Sequence, residues 1–177
     1  MIDPDFLQKA GFLSPLDVHF AGFLERLSGT SSRELALAAA LVSRFTREGH
    51  ICLDLASLKP LDLSGARESF LLPEINHWQK KLRESAVVGG PGDYRPLILD
   101  HKARLYLYRY WEYQEELAKR IRERIGREIH GGSMESLRRD LDRIFPAAKG
   151  GEMDFQKVAA FAAVRKRLCV ITGGPGT

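Results

Sequence analysis

The last ten residues of the chain constrain its fold more than any other stretch. An apolar run, residues 168–171, leads into a glycine-rich end that consists of Gly173, Gly174, Pro175, Gly176 and Thr177. Glycine adopts backbone angles that other residues avoid, so such a loop can wrap its N–H groups around an anion. The phosphate-binding motif G-x-x-x-x-G-K-[ST] begins in this way, after a buried parallel strand, and residues 173–177 supply its first five positions. The pattern predicts a fragment that ends inside a nucleotide site, whereas an ordinary glycine-rich tail is the alternative.

The residues just before this run predict a helix. Asp154 suits the N-cap, and Met153 is placed to pack on Val158 one turn later. Three basic residues, 165–167, fall in the last turn, where the helix dipole favours cations. A helix, a strand and a glycine loop in this order, with Gln156 near the helix start, resemble the entry to a superfamily-one helicase. The resemblance implies that Gln156 reads the edge of an adenine.

Composition and charge limit the possible classes of protein. The chain has 177 residues, of which 44% are hydrophobic and 28% charged, so one or two packed domains are expected. A net charge of +4 is compatible with nucleic-acid binding but does not demonstrate it. No apolar run approaches the length of a membrane span, and the acidic N-terminus does not resemble a signal peptide. Cys52 and Cys169 lie in apolar runs, so we predict two buried free thiols, no metal site and a cytoplasmic protein.

Helix signals dominate the first fifty residues. A short helix is expected over residues 6–12, and Ser14, Pro15 and Asp17 form the start of a second helix with a capping box. Apolar residues then recur at helical spacing on one face of that helix: Leu16, Phe20, Phe23, Leu24 and Leu27. Ser31 and Glu34 predict a capping box for a third helix, whose residues 35–42 are apolar nearly all round. This third helix should be the central buried one.

Strand and hairpin signals follow. Residues 50–55 read as a strand, residues 74–85 as a helix with Trp78 on its apolar side, and residues 89–93 as a flexible surface loop. Residues 97–99 and 104–108 predict a β-hairpin. Together these elements predict a compact domain over residues 15–108, in the manner of a winged helix, with a common set of buried residues: Leu37, Leu41, Ile51, Leu53 and Leu105.

A long helix is expected over residues 110–125, with its apolar positions toward the core: Trp111, Leu117, Ile121 and Ile125. Its later part alternates basic and acidic residues, which is typical of a solvated face, with DNA contact as the alternative. Ser133 predicts the cap of another helix that ends near Phe145, and residues 146–151 predict a linker. The fold class is therefore α+β and mostly helical.

Four blocks of sequence resemble the RecD family, the α subunit of the bacterial exodeoxyribonuclease V helicase-nuclease. They are residues 15–21, residues 37–42 with 48–53, residues 104–107 with Trp111, and residues 155–177, and the resemblance covers nearly the whole chain. It implies a partner-docking domain over residues 1–110, a helical connector over 111–150, and the truncated start of a RecA-like motor over 151–177. It also implies an ATP-driven 5′→3′ DNA helicase that acts in double-strand break repair, with RecB-like and RecC-like subunits as partners.

The same resemblance assigns nucleotide contacts but no catalytic residue. Gln156 would contact adenine, residues 173–177 would hold phosphates, and ATP and Mg²⁺ would be the cofactors of the intact protein. The lysine and the magnesium ligands of the motif are not among these 177 residues, so we expect no bound cofactor and no catalysis from them alone. Two hypotheses remain for the fragment: a subunit-interaction module, or the DNA-binding, winged-helix-like domain of a stand-alone superfamily-one helicase, which would use the hairpin and the basic helix. Because phosphate contacts give steep salt dependence, a salt titration of DNA binding distinguishes them.

Overall fold

A computed structural model describes residues 4–58, 72–125, 133–146 and 153–173. It is a mixed α+β structure, mostly helical, as expected. The elements in chain order are α1 (Pro4–Lys9), α2 (Pro15–Ser28), α3 (Arg33–Arg47), β1 (Leu53–Asp54), α4 (Ile75–Arg83), β2 (Val88–Gly89), β3 (Leu97–Leu99), β4 (Arg104–Leu107), α5 (Tyr108–Arg124), α6 (Met134–Ile144) and α7 (Phe155–Arg165). The chain divides into two compact units, Met1–Gln114 and Glu115–Thr177.

Helix α3 lies at the centre of the first unit. Its residues 35–42 are all buried, because a helix that is apolar on every face must be covered on every side. Helix α2 packs along it, and α4 and the sheet cover other parts of its surface. Trp78 on α4 is also buried, and its indole Nε1 donates a hydrogen bond to the carbonyl of Glu34 at 2.9 Å. This contact fixes α4 against the start of α3.

The predicted hairpin is confirmed and is part of a four-stranded sheet in the order β1-β4-β3-β2. Strands β3 and β4 are antiparallel, with Ile98 opposite Tyr106. Asp100 shapes the turn, because its carboxylate accepts hydrogen bonds from the backbone N–H groups of Lys102 and Arg104. Strand β2 was not predicted. It pairs in parallel with β3 and overlaps the start of residues 89–93, which were predicted as a loop. Two residues of strand are too few to produce a periodic signal.

Several helix starts and ends are confirmed. Ser14 caps α2 with the expected capping box, Ser133 caps α6, and Asp154 caps α7. The cap of α3 was wrongly assigned by one residue. Ser32 rather than Ser31 accepts the hydrogen bond from the N–H of Leu35, and the carboxylate of Glu34 lies near the Ser32 hydroxyl. Adjacent serines offer the same side chain, so the sequence alone does not distinguish them.

Four of the five predicted core residues are buried: Leu37, Leu41, Leu53 and Leu105. The prediction for Ile51 is wrong, because 52% of this residue is exposed. The strand begins only at Leu53, so Ile51 lies in the bend after α3 instead of on the inner face of the sheet. The two thiols also differ from the expectation of burial, since Cys52 is half-buried and Cys169 is exposed.

The long helix α5 is confirmed but its predicted burial is not. None of its residues is buried, Trp111 is half-buried, and Leu117, Ile121 and Ile125 are exposed. Their helical spacing is real, but spacing does not determine whether another element covers the face. The strand predicted for residues 168–171 is likewise not formed, and Val170 and Ile171 are exposed. A buried parallel strand requires strands on both sides and helices on its faces.

The second unit contains a helix pair. Helices α6 and α7 are in contact, and Leu141 is the one residue of this unit that is buried among those described. An ion pair between Lys157 and Asp142 joins the two helices. Beside them lies an open apolar groove of about 490 Å³, which Leu141, Val158 and Phe161 help to line. No helix in the described parts of the chain is both long and apolar enough to cross a membrane.

Candidate functional site

Helix α2 presents apolar side chains on two sides. Ala21 and Leu24 are buried against the core, as is Asp17. The other side carries Leu16, Phe20, Phe23 and Leu27, spaced at i, i+4, i+7 and i+11, and these four residues are here called the α2 apolar face. The exposed fractions are 64% for Leu16, 50% for Phe23 and 53% for Leu27, whereas Phe20 is half-buried against the core.

Contiguous exposure of this kind differs from the scattered apolar residues of an ordinary surface. Three large side chains along three turns of one helix leave apolar area in water that packing against a partner would remove. The sequence offers four phenylalanines as candidates for a docking surface: Phe6, Phe12, Phe23 and Phe70. Phe23 belongs to the α2 apolar face, and Phe6 on α1 is also exposed. Phe12 instead packs under the Arg44 guanidinium at 3.5 Å, and Phe70 lies outside the described residues.

A buried carboxylate holds this face in place. Asp17 Oδ2 accepts hydrogen bonds from the Ser14 N–H at 2.8 Å, from the Ser14 hydroxyl at 2.7 Å and from Arg47 Nη2 at 3.0 Å. The Ser43 hydroxyl donates to Asp17 Oδ1 at 2.7 Å. Ser43 and Arg47 are on α3, so the carboxylate joins the start of α2 to the end of α3. This connection fixes the rotation of α2 and thereby which of its side chains face water.

The pKa of Asp17 lies below its ordinary value. Burial favours the neutral acid, but the hydrogen bonds from Ser14, Ser43 and Arg47 together outweigh that effect. The group is therefore a charged acceptor at neutral pH. The sequence analysis identified Asp17 as part of a capping box but missed its link to α3, because no local signal reports a partner 26 or 30 residues away.

A polar notch adjoins the α2 apolar face. It has a volume of about 460 Å³ and is lined by parts of α1, α2 and the start of α3, including His19, Arg26 and Arg33. Both arginines are exposed, and neither has an ion-pair or hydrogen-bond partner for its side chain among the described residues. Glu25 and Asp5 also line the notch; the Ser31 hydroxyl donates to the Glu25 carboxylate at 3.3 Å, and Asp5 also has an interaction partner.

The predicted nucleotide residues lie in the second unit. Gln156 is exposed in the first turn of α7, and its backbone N–H donates to the Asp154 side chain at 3.0 Å. Its side-chain amide has no hydrogen bond within the described residues, so it is available to an outside ligand. Gly173 is exposed, and the rest of the glycine-rich sequence, residues 174–177, lies outside the described residues. The structure therefore does not bring the nucleotide residues together into a pocket that can be measured.

The two units differ in charge. Residues 1–114 contain 14 Lys and Arg and 14 Asp and Glu, whereas residues 115–177 contain 13 and nine, respectively. The net charge of +4 thus falls entirely in the second unit. Even there, Glu115, Glu116 and Glu123 interrupt the basic residues of α5, and Arg120 pairs with Glu116. The first unit therefore lacks the basic surplus that typically accompanies nucleic-acid binding.

Comparisons with known proteins identify a family for most of the first unit. A family model described as "RecBCD enzyme subunit RecD, N-terminal domain" matches residues 9–106, which is more than half of the chain. The class of protein is therefore the N-terminal region of an enzyme subunit. More particularly, the chain belongs to the RecD family.

Curated relatives extend the similarity through the second unit. "RecBCD enzyme subunit RecD" of Mycobacterium tuberculosis is 32% identical over 170 residues, which cover 96% of this chain and 27% of the relative. The protein of the same name from Mycolicibacterium smegmatis is 31% identical over 95% of this chain and 27% of its own length. The protein of this name from Buchnera aphidicola subsp. Acyrthosiphon pisum is 27% identical over 96% of this chain and 28% of its own length. The chain thus spans little more than a quarter of the length of these relatives.

Proposed function

We propose that the first unit is a subunit-docking module and that the α2 apolar face binds a partner protein. The observation that carries this proposal is the row of exposed Leu16, Phe23 and Leu27 on a unit with no net charge. An exposed apolar row favours association with another protein, and a unit without net charge lacks the basic surplus that attracts DNA phosphates. The relatives are named as subunits of a RecBCD enzyme, and a subunit of an assembly needs a surface that binds other subunits.

The proposal extends to the whole protein through its family. There the chain is the N-terminal part of an ATP-dependent 5′→3′ DNA helicase within exodeoxyribonuclease V, a cytoplasmic complex that repairs double-strand breaks by recombination. The partners are RecB-like and RecC-like subunits. Residues 1–110 are the docking domain, residues 111–150 a connector, and residues 151–177 the start of a RecA-like motor.

Nucleotide contact in that motor is assigned to Gln156, Gly173, Gly174, Pro175, Gly176 and Thr177. The exposed and unbonded side-chain amide of Gln156 supports its part in this assignment, because an amide with a free donor and a free acceptor can read the edge of an adenine. ATP and Mg²⁺ are the cofactors, with the backbone of the glycine loop as an anion cradle. The lysine and the metal ligands of the motif are not among these 177 residues.

DNA binding by the first unit is the second candidate function. The hairpin β3–β4 could act as the wing of a winged-helix-like domain, as the sequence pattern suggests. The equal numbers of acidic and basic residues in this unit make it the weaker candidate. It predicts a steep loss of DNA affinity with salt, in proportion to the number of phosphates contacted.

Co-purification tests the docking proposal directly. The triple variant Leu16→Gln, Phe23→Gln, Leu27→Gln in the full-length subunit should lose co-elution with the RecB-like and RecC-like subunits, since it removes most of the exposed apolar area from α2. A matched control replaces three exposed apolar residues with Gln, namely Leu117 and Ile121 on α5 and Ile125 just after it, and should retain co-elution. If the α2 variant co-elutes as the unaltered protein does, the α2 apolar face is not the docking surface.

A further inference from the structure

The surface beside the α2 apolar face indicates the chemistry of the partner. Resting on the proposed docking function, we infer that the partner inserts a carboxylate side chain into the notch between α1, α2 and the start of α3, where it pairs with Arg26 and Arg33. The partner surface is then an apolar row with an aspartate or glutamate beside it. The most economical element with that pattern is an amphipathic helix.

The notch lies next to the α2 apolar face. On a helix, residues 19, 22 and 26 follow one another at spacings of three and four and form the row beside residues 16, 20, 23 and 27. His19, Gly22 and Arg26 all line the notch, so the notch borders the α2 apolar face directly. Gly22 leaves the middle of that row without a side chain, and the nearest heavy atom to a Cβ placed there would be Arg26 Nη1, at 3.5 Å. A helix that covers the α2 apolar face therefore brings its own flanking residues over the notch.

Unsatisfied charge is the second argument. Neither Arg26 nor Arg33 forms an ion pair with a carboxylate within the described residues, although Asp5 and Glu25 line the same notch. Three other arginines of the first unit form ion pairs: Arg44 with Glu48, Arg47 with Asp17, and Arg104 with Asp100. The two notch arginines thus offer ten N–H donors that have no acceptor within the described parts of the chain, and a carboxylate accepts from such donors in a bidentate manner.

Interface energetics make the position of these arginines useful. Arginine is enriched among the residues that dominate binding energy, and an ion pair next to an apolar core becomes partly desolvated on binding. A volume of about 460 Å³ accommodates an acidic side chain with its hydration. The acidic residues Asp5 and Glu25 in the notch disfavour an anion that carries several charges, such as a DNA backbone, more than they disfavour one carboxylate.

Charge reversal in the full-length subunit tests the inference. Affinity for the RecB-like and RecC-like subunits is measured by biolayer interferometry for the unaltered protein, for Arg26→Glu with Arg33→Glu, and for Arg26→Gln with Arg33→Gln. We expect the Glu variant to bind roughly tenfold or more weakly and the Gln variant to be intermediate. The matched control, Lys102→Glu with Arg109→Glu, changes the same charge on exposed residues away from α2 and should bind normally.

Salt dependence provides a second readout. Between about 0.05 and 0.5 M NaCl, the association rate of the unaltered protein should fall, and that of the Glu variant should change less or rise. Unchanged affinity of both notch variants, together with loss of binding by the α2 triple variant, would overturn this inference and leave the docking function standing. Unchanged affinity of all three would overturn both. A notch variant that alters self-association instead would identify a second copy as the occupant and also overturn the inference.

Discussion

Replacing Asp17 with alanine should destabilise the first unit strongly. The substitution removes the acceptor of four hydrogen bonds between 2.7 and 3.0 Å and leaves the Ser43 hydroxyl and the Ser14 N–H without it. Loss of the N-cap box costs about 1 kcal/mol. The Ser43 and Arg47 bonds to a charged group contribute about 1.5 kcal/mol each at the low end of their range, which suits an Arg47 side chain that is partly exposed. The expected loss is about 3 to 4 kcal/mol of unfolding free energy.

Urea unfolding followed by tryptophan fluorescence is the suitable assay. Both tryptophans of the chain, Trp78 and Trp111, belong to the first unit, so their emission reports on that unit alone. For a unit of 114 residues, the same loss lowers the melting temperature by about 12 to 17 °C. The control is Asp54→Asn, whose carboxylate bonds only to Ala56 and Ser57 nearby and should cost less than about 1 kcal/mol. An Asp17→Ala protein that unfolds within about 1 kcal/mol of the unaltered one would refute the role given to this carboxylate.

The pH dependence of stability follows from the same group. A folded-state pKa below the unfolded value means that Asp17 contributes its full stabilisation above the unfolded pKa of about 4 and loses it as pH falls through the folded pKa. The unaltered protein should therefore lose unfolding free energy on acidification below about pH 5. Asp17→Asn should be less stable at neutral pH and should show a shallower decline. Parallel pH profiles for the two proteins would contradict the assignment.

Three further outcomes are expected. Trp78→Phe should lower the unfolding free energy by about 2 kcal/mol, measured by circular dichroism in urea, because it deletes the hydrogen bond to the Glu34 carbonyl and leaves a cavity. Cys169 should react with a thiol reagent faster than Cys52, because Cys169 is exposed whereas burial raises the pKa of Cys52; equal rates in the variants Cys52→Ser and Cys169→Ser would contradict this. In the full-length protein, Gln156→Ala should weaken ATP binding by calorimetry, and the neighbouring exposed substitution Met153→Ala should not.

Local sequence signals predicted most of the helical architecture. Ser14 with Asp17, Ser133 and Asp154 marked helix starts correctly, because N-caps act through residues two or three positions away. The apolar run of α3 identified the buried helix, because a helix that is apolar on every face must be covered on every side. The hairpin was predictable because two apolar segments flank a four-residue turn.

Burial that depends on a distant partner was not predictable. Leu117, Ile121 and Ile125 follow the same spacing as a core-facing stripe, and periodicity alone does not say whether another helix lies over it. The sequence pattern of α2 placed Leu16, Phe23 and Leu24 together on one apolar side. Only the structure shows that Leu24 is buried and that Leu16 and Phe23 are exposed. The sequence also did not predict the partners of Asp17 on α3, or that Arg26 and Arg33 have no ion pair within the described residues. Ion pairs form between residues that are distant in sequence, so local patterns do not predict them.

Photo-crosslinking tests the central claim most directly, because it reports which residue touches the partner. Benzoylphenylalanine is introduced in place of Phe23 in the full-length subunit and, in a separate protein, in place of Tyr94, an exposed aromatic residue away from α2. The docking account predicts a covalent product with a partner subunit from position 23 and none from position 94. A product from position 94 with none from position 23 would contradict it.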